Sequence, residues 1–114
     1  MEIFCQIEDR QVHSQTINRI EELSEFIKIY STTDYYLNIK YITYYLLKLG
    51  KCEPRDYPKI VLNKGTTALR ELTLTHLDDL HYFLSQHPSQ EYFLEINSNV
   101  FRMRKVIIII NPSE

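Results

Sequence analysis

His76, Asp78, Asp79 and His81 stand close together, and carboxylates beside imidazoles are the raw material for metal binding or for acid and base catalysis. Their spacing argues against a metal. On a helix, residues five apart such as His76 and His81 diverge by about 140°, so they do not form the i, i+4 pair that grips zinc. Thr75 followed by Asp78 resembles a capping box, and Asp78 with Asp79 suits the first turn of a helix, where negative charge complements the dipole. A small metal-dependent or acid–base enzyme built on these four residues is therefore an alternative reading, not the leading one.

His13 and His87 each stand alone in sequence. The chain has two glycines, Gly50 and Gly65, both read as turn residues. Neither a serine on a glycine-flanked elbow nor a glycine-rich phosphate cradle is present, so no catalytic residue and no cofactor is expected. Cys5 and Cys52 are too few and too far apart for a zinc set or a disulfide framework, and both are expected to be reduced.

Thirteen basic and fifteen acidic side chains give a net charge of -2, so no global positive field draws the protein to nucleic acid or anionic lipid. Arg102, Arg104 and Lys105 form a local basic set. Glu91 and Glu95, facing the arginines in a hairpin, would offset it, and Lys105 belongs to the other strand face. Nucleic acid is not an expected partner. The N-terminus lacks a basic region followed by a long apolar stretch, and no apolar run reaches the roughly 20 residues that span a bilayer; the expectation is a cytoplasmic protein off the membrane.

The elements that must position any site follow from periodicity. Residues 1–114 are expected to form one α+β domain, since this length buries one modest core. Glu2 to Ile7 reads as a strand, with Ile3, Cys5 and Ile7 on one face and Phe4 on the other, and Asp9 to Gln15 as its polar exit. In Thr16 to Tyr30, Ile20, Leu23, Phe26, Ile27 and Tyr30 share a helical stripe. Asp34 to Leu49 reads as a second helix, capped by the Ser31–Asp34 cluster and stopped at Gly50.

Lys59–Leu62 and Thr67–Leu74 suggest a hairpin about Asn63-Lys64-Gly65-Thr66, and a third helix carries Leu77, Leu80, His81 and Leu84 up to Pro88. Tyr92–Ile96 and Val100–Ile110 suggest a last hairpin turning at Ser98-Asn99. It pairs Ile96 with Phe101, Leu94 with Met103, Glu95 with Arg102 and Phe93 with Arg104. The unbroken run Val106 to Ile110 fits a central strand covered on both faces. No internal repeat is evident. The expected fold is a mixed or antiparallel sheet of about five strands with three helices, in the order βααββαββ.

The second expected helix is the most informative element, because its apolar residues occupy more than one side. Tyr35, Ile39, Ile42, Leu46 and Leu49 form one stripe. Leu37, Tyr41 and Tyr44 lie opposite, alongside Lys40 and Lys48, where a surface helix would be polar. Tyrosine is enriched at interfaces, so Leu37, Lys40, Tyr41, Tyr44 and Lys48 form a candidate partner-binding surface. The leading functional expectation is a non-catalytic protein-binding domain, such as a small inhibitor or immunity-type protein that occludes a partner's surface. A homo-oligomeric subunit is the other alternative. A composition rich in Ile, Tyr, Lys and Asn suggests an AT-rich, bacterial or viral coding genome.

Overall fold

Apolar residues spaced two apart dominate the chain, and each such run forms a strand. The computed structural model describes residues 1–7, 11–64 and 67–107. Its elements are β1 (Glu2–Gln6), β2 (Val12–Thr16), α1 (Ile20–Ile29), β3 (Asp34–Ile39), β4 (Ile42–Lys51), β5 (Lys59–Lys64), β6 (Thr67–Thr73), α2 (Leu77–Gln86), β7 (Glu91–Ile96) and β8 (Asn99–Lys105). The strands form one eight-stranded sheet in the order β2-β1-β3-β4-β8-β7-β5-β6, and every neighbouring pair is antiparallel. The expectation of about five strands and three helices is thus overturned by eight strands and two helices among the described residues.

The missing helix is the β3–β4 hairpin. Tyr35, Leu37 and Ile39 alternate with half-buried Tyr36 and Asn38, so period two governs the segment read as helical. Its two-residue turn, Lys40-Tyr41, has positive φ at both positions (45° and 70°) and carries neither Gly nor Asn, so its sequence hides the hairpin. Gly50 ends no helix; it lies inside β4, where the register with β8 shifts between Lys48 and Gly50. The first segment after β1 is likewise a strand, β2, pairing Phe4 with Ser14 and Cys5 with His13.

The chain is also a tandem duplication, against the expectation of no repeat. Residue n of the first half corresponds to residue n + 57 of the second: Ile3 with Ile60, Leu23 with Leu80, Phe26 with Phe83, Tyr35 with Tyr92, Leu37 with Leu94, Ile39 with Ile96. Each half is a ββαββ unit, and β4 meets β8 at the centre of the sheet. Leu46 pairs with Met103, its own counterpart under this offset, so a pseudo-two-fold axis passes between them. Identities fall mainly on the core, because each half must bury the same helix on the same strand face.

Both helices belong to one buried cluster with the inward residues of the strands, among them Ile3, Leu37, Leu46, Ile60, Leu94 and Met103, so the two helices share one face. Each helix starts alike. The Glu22 carboxylate accepts from the Asn18 and Arg19 N–H groups at 3.2 and 3.0 Å, and that of Asp79 accepts from His76 N–H at 3.2 Å. Each also ends alike: Tyr35 Oη donates to the Tyr30 carbonyl at 2.7 Å and Tyr92 Oη to the His87 carbonyl at 2.6 Å.

The last hairpin turns at Asn97-Ser98, not at Ser98-Asn99, so Leu94 faces Phe101, Phe93 faces Arg102 and Glu91 faces Arg104. Shifting by two keeps every side chain on its expected face. Asn97 and Ser98 both take positive φ, 51° and 62°, which places the turn one residue earlier. β8 is central in the sheet, but it ends at Lys105; Val106 and Ile107 are exposed, and Ile108 to Ile110 lie outside the described residues. So do Gly65 and Thr66 of the expected turn.

The Lys40-Tyr41 turn gives a direct test of backbone conformation. Tyr41 is fully exposed and contributes no packing, while a side-chain-bearing residue at φ 70° costs about 1 kcal/mol. Lys40→Asn with Tyr41→Gly is expected to raise stability by about 1–2 kcal/mol, visible as a melting temperature several degrees higher.

Candidate interaction surface

Alternation that sends Tyr35, Leu37, Leu46 and Met103 toward the helices sends their neighbours to the opposite side of the sheet. Two lateral rows cross that second face. One runs Ser14–Phe4–Tyr36–Tyr45–Arg104–Glu91 over six strands, and the other runs Asp34–Leu47–Arg102–Phe93–Val61–Glu71 over six. Among the described residues, no helix lies on this face. Phe4, Tyr36, Tyr45, Leu47 and Phe93 are half-buried there, leaving aromatic and aliphatic surface in contact with solvent.

The aromatic end is ordered by its own packing. Phe4 stacks on Tyr36 with ring centroids 5.2 Å apart, and Tyr45 meets Tyr36 edge-on at 5.1 Å. Tyr45 Oη donates to Asp34 Oδ2 at 3.0 Å. Burial, the Asp34 hydrogen bond and Asp34's charge all push the Tyr45 phenol up, so it remains a neutral donor.

The other end is charged and mostly paired. Arg104 Nε lies 2.8 Å from Glu91 Oε2, Lys59 Nζ 2.9 Å from Glu71 Oε2, and Arg55 Nε 3.5 Å from Glu95 Oε1. Arg102 differs: it stands between Leu47 and Phe93, and among the described residues its side chain has no ion pair or hydrogen bond.

The five residues of the expected helical surface are dispersed. Leu37 and Tyr44 are in the core, at 0% and 4% exposure; Lys40 and Tyr41 form the exposed turn; Lys48, opposite Phe101, is half-buried near the end of β4. The tyrosines that the sheet presents instead are Tyr36 and Tyr45, with Phe4. A period-two count over residues 34–47 would have separated them from Tyr35 and Tyr44.

The histidine and aspartate group does not converge. Asp79 is occupied at the start of α2, with His76 Nδ1 3.8 Å away, and Asp78 is exposed. His13 stacks on Tyr30 at 4.3 Å, and His87 lies 4.9 Å from Phe83. Among the described residues, no three His, Cys, Asp or Glu side chains are grouped so as to hold a metal ion. Burial pushes both thiols up, and neither is activated: Cys5 is in the core, and the Glu95 charge adds to the rise at Cys52.

Two of the surface depressions bring polar side chains together. One of about 750 Å³ is lined by Cys5, Gln6, Thr33, Asp34 and Lys48 among others, at the end of β1 and β3. Another, of about 420 Å³, lies between the starts of α1 and α2, between Arg19 and Glu21 on one side and His76 and Asp78 on the other. In the first, the Asp34 carboxylate is engaged by Tyr45 Oη and the Cys5 thiol beside it is 2% exposed. Among the described residues, no helix is long and apolar enough to cross a membrane. No family model, curated protein or solved structure matches the chain.

Proposed function

We propose that the chain is a non-catalytic protein-binding domain that docks onto a partner protein through the open face of its sheet, as a small inhibitor or immunity-type protein would. The observation that carries this reading is the half-exposed row Phe4–Tyr36–Tyr45, continued by Leu47 and Phe93 and bordered by charged side chains. An apolar centre with a polar rim is the anatomy of a protein interface, and aromatic residues are its commonest anchors. Both cysteines are free, which supports a reducing, cytoplasmic setting.

Site-specific photo-cross-linking tests the docking face. A photoreactive phenylalanine at Tyr36 is expected to give one discrete protein adduct in cells that make the protein, whereas the same group at exposed Tyr82 of α2 gives none. An adduct from position 82 alone, or none from position 36, overturns the reading. A homo-oligomer using the same face is the second reading; an adduct of twice the chain's mass selects it.

A further inference from the structure

The two repeats agree on the core and part company on the open face. At the sheet centre, Tyr45 of the first repeat corresponds to Arg102 of the second, and Leu47 to Arg104. Since Tyr and Leu serve the same backbone positions in one repeat, the fold itself requires no arginine in the other. Arg104 has its charge answered within the chain by Glu91 at 2.8 Å.

Arg102 has no such answer. It is half-buried, flanked by Leu47 on β4 and Phe93 on β7, with no carboxylate in ion-pair reach among the described residues. Asp34 is two strands away in the same row, roughly 10 Å at ordinary strand spacing.

We propose that Arg102 is the anchor of the docking face and that it takes a carboxylate, an Asp or Glu side chain, of the partner protein. This rests on the open face being the docking face. A guanidinium set among aromatic and aliphatic groups offers a planar fork to a carboxylate, and docking removes the water that would otherwise weaken the pair. A nucleic-acid phosphate fits less well. The face carries five carboxylates (Glu2, Asp34, Glu71, Glu91 and Glu95) against four cations (Arg55, Lys59, Arg102 and Arg104), and each of those cations but Arg102 already faces a carboxylate, so a polyanion would find one contact in a net negative surround.

The test uses the full chain and two tripeptide amides as probes, Ac-Phe-Glu-Phe-NH2 and Ac-Phe-Gln-Phe-NH2, followed by NMR of the arginine Nε–H groups and backbone amides. The Glu peptide is expected to shift Arg102 Nε–H and the amides of Tyr45, Leu47 and Phe93, with an affinity about tenfold above that of the Gln peptide. Arg102→Tyr, which copies the first repeat, is expected to abolish that preference while leaving the melting temperature unchanged.

Equal binding of the two peptides, or shifts that bypass Arg102, overturns the proposal. So does a melting temperature several degrees lower in Arg102→Tyr, which would make the arginine structural. Tighter binding of a ten-residue oligothymidylate than of the Glu peptide overturns it in favour of nucleic acid. Failure of the docking face itself would appear separately, as cross-linking from Tyr82 with the Arg102 shifts intact.

Discussion

Tyr35→Ala is expected to destabilise the protein by about 3–5 kcal/mol, and Tyr92→Ala by a similar amount, in urea unfolding followed by circular dichroism. Both rings are 1% exposed, and the phenols do the same work in the two repeats. Tyr35 packs edge-on against Phe26 at 6.3 Å and Tyr92 against Phe83 at 6.3 Å. Each hydroxyl accepts from a loop N–H, Thr32 at 3.1 Å or Ser89 at 2.9 Å, and donates to the carbonyl of the residue that caps the preceding helix, Tyr30 or His87. Burial pushes both phenols up, which keeps them protonated as donors.

The corresponding Phe variants separate packing from hydrogen bonding. Each is expected to cost about 1–3 kcal/mol, because a carbonyl and an N–H in a partly buried loop lose their partner. The first-repeat ring also contacts Phe101 across the pseudo-two-fold axis at 5.7 Å, which should make Tyr35→Ala the costlier of the pair. A loss below about 1 kcal/mol at either alanine variant would mean that the helix ends are held by something other than these phenols.

Periodicity revealed both helices, β1 and the β5–β6 and β7–β8 hairpins, because each shows either a single apolar stripe or a plain alternation next to a recognisable turn. It failed where two signals were weak together. β2 is a short edge strand, Val12 to Thr16, in which Val12 is exposed and the other four residues are polar, so no alternation marks it. In residues 34–51 the alternation was present, but the turn between the strands is Lys40-Tyr41, and Gly50 at a bulge resembles a helix terminus. The apolar residues that appeared on all sides of the supposed helix were a two-faced strand viewed at the wrong period.

The candidate surface was lost for the same reason. Tyr36 and Tyr45 cannot be told from Tyr35 and Tyr44 until the strand period is imposed, and only one member of each adjacent pair reaches the open face. The duplication was legible without any structure: Tyr35-Leu37-Ile39 and Tyr92-Leu94-Ile96 share one spacing, and so do Leu23-Phe26 and Leu80-Phe83. Aligning them would have transferred the clear second-half hairpin onto the unclear first-half segment. Arg102, by contrast, becomes informative only after pairing shows that Arg104, not Arg102, is matched by Glu91.

Adjacent leucines at the sheet centre make the strand assignment testable in a single pair of variants. Leu46 is 0% exposed and sits on the pseudo-two-fold axis against Met103, in the buried cluster to which both helices contribute. A carboxylate there loses a buried leucine, worth about 2–5 kcal/mol, and has no partner for its charge, which adds a cost of comparable size. The sum exceeds the lower part of the roughly 5–15 kcal/mol available to a domain of this size, so Leu46→Asp is expected to be unfolded by circular dichroism and NMR dispersion. Leu47 points to the open face beside Arg102, and Leu47→Asp is expected to fold with stability changed by no more than about 1 kcal/mol, its new carboxylate within reach of that guanidinium. Equal tolerance at both positions would contradict the alternation on which the core and the open face alike depend. If Leu47→Asp folds but abolishes the Arg102 shifts induced by the Glu tripeptide, the arginine will have been satisfied from within the chain, as Glu91 already satisfies Arg104.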